Sequence, residues 1–422
     1  MCGIKMTNSG VELINGLSTV EPGFNDFPVP TLKRVILKNY KSIQAAAVDL
    51  HPLTLVVGPN GSGKSNFLDG VRLTSDAFSS NLENAIRERG GINEVRRRSR
   101  GHPTHFGIRL ELDLGGGFSA LYAYTVAAKK GLNMEVQREE CIVYQIGKKF
   151  EWFESDSGAI KYSGATPPPR MPATSLALPV MSGVSPHFNR IYEGIRNFGF
   201  YSLSPDAIRQ LQKPEPGELL LRDGRNLASV IRRTKQANND ILDRITAYLA
   251  AVVPGIKSVD AEVLGPMETV EFRQEVVGDP NPWQFLAAGV SDGTLRALGV
   301  LTAVFQDPGN PPGIPLVGLE EPEAAIHPGA GMRLMDALLE ASKKRQLLIT
   351  THSPDLLDHA DISPDSVIAV QSERGTSNIG PVNDAARDAI RQTLYTVGEL
   401  LRLEQVEPQI FGDQYRQLRI FD

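Results

Sequence analysis

Cysteine is almost missing from this chain: Cys2 and Cys141 are the only two in 422 residues, and they have no paired spacing. That excludes a disulfide-stapled scaffold and a cysteine zinc motif, and it suits a reducing compartment. Long apolar runs are missing as well. None approaches the ~18 residues that span a bilayer, and the first residues lack the basic-then-apolar order of a secretory signal. A cytoplasmic protein with no membrane partner is expected. A dominant charge is also lacking; the formal net charge of −5 gives no global attraction to nucleic acid or anionic lipid. Sustained heptads and internal repeats are absent, which argues against long coiled-coil arms.

Against these absences stands one dense motif. Gly58-Pro59-Asn60-Gly61-Ser62-Gly63-Lys64-Ser65 fills every required position of the phosphate-loop pattern G-x-x-x-x-G-K-[ST]. Leu53–Val57 before it reads as a buried strand, and a helical apolar spacing opens at Asn66. Glycines let backbone N–H groups turn inward around phosphate oxygens, and the helix N-terminus adds positive potential. The nucleotide-binding residues expected here are Gly58, Asn60, Gly61, Ser62, Gly63, Lys64, Ser65 and Asn66. Lys64 would neutralise the β- and γ-phosphates, and the Ser65 hydroxyl would ligate Mg²⁺. ATP and Mg²⁺ are the expected cofactors.

Three weaker elements lie downstream. Val290-Ser291-Asp292-Gly293-Thr294 precedes an apolar-periodic helix, so Ser291, Gly293 and the following N–H groups could form an anion site. Ile314–Leu319 runs into Glu320-Glu321-Pro322-Glu323, a strand delivering carboxylates at its end; Glu320 would bind the metal and Glu321 would act as general base. Gln346–Thr351 delivers His352, a donor able to reach the γ-phosphate. Taken singly, each also describes something bland: a helix cap, an acidic surface turn, a structural histidine.

The chain divides into an extension (1–30), a β-rich lobe carrying the phosphate loop (31–155), and a loop and helical insertion (156–280). A second lobe with the remaining motifs (281–400) and a tail (401–422) follow. In the first lobe a strand and hairpin over Leu32–Leu50, a strand over Phe106–Leu114, and an antiparallel pair over Ser119–Val126 and Met134–Ile146 turning at Lys129–Gly131 are expected. Asp156–Ser185, with its Pro167–Pro169 triplet, reads as loop. Helices are expected from Gly224 and over Asn238–Val253.

Phosphate loop, Ser-x-Gly cap, acidic strand end and strand-borne His follow the order of ABC-class ATPase heads, which the chain resembles over most of Thr31–Leu400. More narrowly it is similar to the RecF/SMC-like single-chain ATPases, including those of anti-phage systems. Lys38-Asn39-Tyr40-Lys41-Ser42, Ser291-Asp292-Gly293-Thr294-Leu295-Arg296 and Glu320-Glu321-Pro322-Glu323 with His327-Pro328 carry that resemblance. It implies an α/β head with a β-rich N-terminal lobe and a helical middle lobe, closing as a homodimer around ATP. The signature at Ser291 would act on the partner's nucleotide, with Glu321 and His352 catalytic. Glu320 replaces the usual Asp, and Asp292 and Thr294 replace the usual Gly and Gln. The resemblance also implies a glutamine loop, for which Gln137 and Gln145 lie in the plausible region.

Three functions follow from this reading. The first is an ATP-switched DNA-associated or defence ATPase controlling a separate effector or nuclease, since this chain carries no nuclease constellation. The second is a low-turnover regulatory or scaffold module. A transporter ATPase subunit is the third, disfavoured by the long separation of Lys64 from Ser291. Arg96-Arg97-Arg98-Ser99-Arg100 could contact DNA phosphates or be a solvated basic loop; Arg232-Arg233-Thr234-Lys235 reads as a helix face.

Overall fold

The computed structural model describes residues 29–98, 103–129, 133–165, 168, 170–309, 313–409 and 418–421. Outside them fall Cys2, the expected extension up to residue 28, Ser99 and Arg100 of the basic loop, Lys130 and Gly131 of the expected turn, Pro167 and Pro169, and residues 410–417 and 422 of the tail.

Alternating apolar residues in the first third form strands as expected. β1 (Thr31–Tyr40) and β2 (Ile43–Asp49) make an antiparallel hairpin. β3 (Leu53–Val57) leads to α1 (Lys64–Ser79), α2 (Leu82–Arg87) and α3 (Ile92–Val95). An antiparallel meander follows, formed by β4 (His105–Gly115), β5 (Phe118–Ala127), β6 (Glu135–Gln145), β7 (Lys148–Asp156) and β8 (Ala159–Tyr162). The loop expected over 156–185 is therefore corrected at its start. Ser157 and Gly158 both take positive φ, +46° and +88°, the hairpin-turn conformation that folds β8 back on β7.

The middle holds α4 (Leu178–Met181), α5 (Pro186–Arg196), β9 (Gly199–Tyr201), α6 (Pro205–Arg209), α7 (Leu227–Ala237) and α8 (Asn239–Val252). Both expected helices form. A second correction follows them: β10 (Ile256–Leu264), β11 (Met267–Gln274) and β12 (Trp283–Leu286) make a separate three-stranded antiparallel sheet. Val259, Val270 and Phe272 bury its inner face against α7 and α8. The boundary at 280 falls between two paired strands of this sheet.

The remainder alternates helix and strand: α9 (Asp292–Phe305), β13 (Leu316–Glu320), α10 (Gly331–Ser342), β14 (Gln346–Thr351), α11 (Pro354–Leu357), β15 (Val367–Glu373), β16 (Thr376–Pro381), α12 (Asp384–Arg391) and α13 (Val397–Arg402). Among the described residues one 13-stranded sheet, in the order β8-β7-β6-β5-β4-β1-β2-β16-β15-β3-β14-β13-β9, joins the two lobes. Within it β15, β3, β14, β13 and β9 run parallel. These strands are covered on both faces, so they read as continuous apolar runs. Leu53, Leu55, Val57, Leu347 and Ile349 pack toward α8–α10, while Val56, Leu348 and Leu316 pack toward α1 and α5. The longest described helix, α1, has 16 residues; no described helix is long and apolar enough to cross a membrane.

Candidate functional site

Parallel strands place their C-terminal ends along one edge, where ligands of open α/β sheets bind. β3 delivers Gly58–Ser65 there, β13 delivers Glu320 and Glu321, and β14 delivers Thr351 and His352. The loop turns left-handed at Gly61 (φ +76°) and Gly63 (φ +111°) before α1 begins at Lys64, two residues earlier than the apolar spacing alone places it. Lys64 is buried at 4% side-chain exposure, and its Nζ donates to the loop's own carbonyls, Gly58 O at 2.9 Å and Pro59 O at 3.1 Å. Burial lowers its pKa, against the fields of Glu321 and Glu323. A buried ammonium whose hydrogen bonds go to backbone carbonyls alone is what a phosphate group would satisfy. The Ser62 hydroxyl in the same loop is buried without a partner. Ser65 is exposed, Asn60 and Gly61 likewise. These residues fit a triphosphate.

The Asn39–Ser42 motif, quoted above only as a resemblance, turns out to build the cradle. Asn39 and Lys41 take positive φ, +54° and +46°, at the β1–β2 turn. That turn sends Tyr40 and Lys41 onto α1: Tyr40 Oη donates to Asp69 Oδ2 at 2.7 Å, and Lys41 Nζ pairs with Asp69 at 2.6 Å. Arg72 and Arg89 complete the shell around Asp69, at 2.6 and 2.9 Å. Burial alone would raise this carboxyl; Arg89, Arg72 and Lys41 outweigh it and hold the pKa below the usual range. Ser42 faces the loop itself. Its Oγ accepts from Asn66 Nδ2 at 2.7 Å and lies 2.7 Å from Ser377 Oγ, which donates to Ser62 O at 2.6 Å. A Cβ on Gly63 would stand 2.1 Å from Ser377 Oγ, so that position admits only glycine on both counts.

The carboxylates and the histidine converge beside this loop. Glu321 N–H extends the ladder to Thr350 O at 2.9 Å, after which the residue turns to φ +44°, disfavoured for a non-glycine. Its Oε1 lies 3.0 Å from His352 Nδ1 and 3.9 Å from Lys64 Nζ. Glu323, to which the sequence reading gave no role, accepts from Thr351 Oγ1 at 2.6 Å, and burial raises its pKa. Glu320 is half-buried. No three His, Cys, Asp or Glu side chains converge as a metal cage among the described residues.

Ser291 caps α9 as expected, accepting from Thr294 N at 3.3 Å. Asp292 pairs with Arg209, and Gly293 sits where a Cβ would be 2.2 Å from Ala325 O. The start of α9 thus packs on the turn that follows Glu321. Among the described residues no hydrogen bond or ion pair joins Ser291 or Gly293 to the Gly58–Ser65 loop of the same chain.

Two expectations find other places, and a third holds. Gln137 and Gln145 lie on β6, far across the sheet from β13, whose outer neighbour is β9. Arg97 donates to Ser42 O at 2.7 Å and Thr376 Oγ1 at 2.8 Å, so it braces the cradle. Arg96 donates to Asn93 and Pro103, and Arg98 pairs with Glu94. Arg232 and Lys235 lie on α7, the helix face expected of them, and pair with Glu268 on β11 and Asp260 on β10.

Comparison with known proteins agrees with this geometry. A family model described as "AAA ATPase domain" matches residues 31–257, more than half of the chain. Another, "AAA domain, putative AbiEii toxin, Type IV TA system", matches residues 179–358. No protein of curated function matches. Among solved structures, an SMC head bound to the C-winged helix domain of ScpA is similar at 15% identity and TM-score 0.51, over 84% of this chain and 99% of that one. The SMC head domain from Thermotoga maritima gives 15%, 0.39, 84% and 99%. The Pyrococcus furiosus Smc head with an extended coiled coil, bound to the C-terminal domain of ScpA, gives 13%, 0.46, 87% and 100%. The first of these likenesses shows the fold. The chain belongs to the AAA ATPase domain family: it is an ATP-binding and ATP-hydrolysing P-loop enzyme with the fold of an SMC head and, among the described residues, no long coiled coil.

Proposed function

We propose that this ATPase closes as a homodimer around ATP, hydrolyses it with Glu321 as general base, and through that cycle controls a separate effector protein. The contact of Glu321 with both His352 and Lys64 carries the reading, because it joins three strand ends into one constellation. Lys64 would leave the carbonyls of Gly58 and Pro59 for the β- and γ-phosphates. Ser65 and Glu320 are the proposed ligands of Mg²⁺, which when bound neutralises developing phosphate charge. Glu321 accepts the proton of the attacking water, and His352 orients that carboxylate and senses the γ-phosphate. Ser291 and Gly293 serve the partner's nucleotide; in their own chain they are engaged with Thr294 and the Ala325 turn.

The effector reading draws support from two sources. One matching family is described by a putative toxin of a type IV system, and a similar SMC head was solved with a ScpA domain bound. An anti-phage or DNA-associated setting fits both; DNA contact through Arg96–Arg98 loses ground to their internal bonds. Mixing Ser291→Arg protein with Lys64→Ala protein tests the dimer. Each is inactive alone, and the mixture should regain ATPase activity through one intact composite site. No recovery would contradict a site shared between copies.

A further inference from the structure

β9 is the edge strand beside β13, and its parallel register sets Tyr201 opposite Leu319, so Ser202 follows level with Glu320. The chain returns to this place after α6. Ser202 N–H donates to Arg222 O and Ser204 N–H to Asp223 O, both at 3.0 Å. The returning segment is pinned on either side: Leu220 N–H donates to Gln306 Oε1 and Leu221 N–H to Asn226 Oδ1, each at 2.8 Å. Gln306 in turn donates to Tyr201 Oη at 2.8 Å. Arg222 is thus fixed at the strand-end edge that carries the ATP site, although it belongs to none of the motifs.

Its side chain is exposed and, among the described residues, makes no hydrogen bond or ion pair. Arg72 nearby is neutralised by Asp69 at 2.6 Å and Asp76 at 3.2 Å. Both arginines line a cavity of about 350 Å³ with Ser75, Asp76, Phe200 and Tyr201, a volume within the range of small-ligand sites. Partial burial and the charge of Arg72 lower the pKa of Arg222, while Glu320, Asp76 and Asp69 act in the opposite direction. A guanidinium without a counter-ion, held by its backbone at the rim of a cavity, presents the fork that matches phosphate.

We infer that Arg222 is a phosphate-binding residue at the Glu320 side of this cavity. The inference rests on the ATP-site reading above. The phosphate has two sources: the γ-phosphate of the nucleotide on the Lys64 loop, or a separate phosphorylated molecule in the cavity. Calorimetric titration of the full chain with ADP, ATPγS and inorganic phosphate separates them, with thermal melting as the check on folding. If the γ-phosphate is the ligand, Arg222→Ala weakens ATPγS roughly ten- to hundredfold, leaves ADP unchanged, and Arg222→Lys restores part of the loss. If a second molecule is the ligand, nucleotide affinities stay as they are. Wild type and Lys64→Ala then both bind inorganic phosphate, and Arg222→Ala does not. Equal weakening of ADP and ATPγS, or no change in any of the three titrations, overturns the role of Arg222. Failure of the wild type to bind either nucleotide overturns the ATP-site reading itself.

Discussion

His352 Nδ1 stands 3.0 Å from Glu321 Oε1, although the two residues leave the sheet from neighbouring strands and are separated by helix α10 in the chain. The contact orients the carboxylate proposed to accept the water proton. Glu321→Gln should therefore lower kcat by about 10²–10⁴-fold with little change in KM for ATP. His352→Ala should lower kcat less, because it removes the orienting partner and leaves the base. Steady-state phosphate release checks both; an unchanged kcat for Glu321→Gln would remove the general-base assignment.

Gly63 and Ser377 form a second coupled pair. Gly63→Ala should cost roughly 1–3 kcal/mol from its left-handed backbone and the clash with Ser377 Oγ, and should weaken ATP binding. Adding Ser377→Gly should recover part of the loss, whereas Gly61→Ala, which meets no neighbouring atom, should cost less. Chemical denaturation and nucleotide titration of the three variants decide it. A cost for Gly63→Ala no larger than that for Gly61→Ala would contradict the steric account.

Asp69 is the anion that fastens the β1–β2 turn to α1. Removing it leaves Arg89, nearly buried, without its main partner. Asp69→Ala should therefore destabilise the protein by about 3–5 kcal/mol. Because the folded pKa is depressed, this stabilisation is present above the unfolded carboxylate pKa and is lost as pH falls through the lower folded one. Urea melts at neutral pH and at pH 3 measure it, and the wild-type advantage over Asp69→Ala should shrink at the acid end.

Glu139 predicts the opposite slope. It is buried beneath α4, accepting from the N–H groups of Ala177 and Leu178 and from Tyr122 Oη. Burial outweighs these bonds and pushes its pKa up to about 7 from 4.5. The folded state keeps a proton that the unfolded state has lost, so stability falls as pH rises from the unfolded value through about 7, by ~3 kcal/mol, and then levels. Glu139→Gln should flatten that slope; a wild-type profile already flat between pH 5 and 8 would contradict the assignment.

Much of the site was legible because phosphate binding restricts residue choice locally. Gly58–Ser65, Ser291, Glu320–Glu321 and His352 could be picked out by type and spacing, and β3, β13 and β14 by their unbroken apolar runs. What escaped depends on contacts between distant segments. Ser377 meets Ser42 only after β16 is laid beside β2, and nothing local in Thr376-Ser377-Asn378 marks it. Arg97 carried the look of a solvated basic loop, yet its partners lie in the β1–β2 turn and β16. The β10–β12 sheet escaped because its strands lack apolar runs: β11 buries Glu268, Thr269 and Glu271 beside Val270 and Phe272, β10 buries only Ile256 and Val259, and β12 has four residues. β9, the strand beside β13, spans only Gly199–Tyr201, and its period is too short to read.

The central claim is that ATP joins two copies of this chain and that Glu321 ends the joined state. Mass measurement of Glu321→Gln in solution, with and without ATP, tests it most directly, with Lys64→Ala as the control that cannot hold nucleotide. A doubling of mass on adding ATP to Glu321→Gln, absent in Lys64→Ala, is the predicted result. An identical mass for Glu321→Gln with and without ATP would contradict the account.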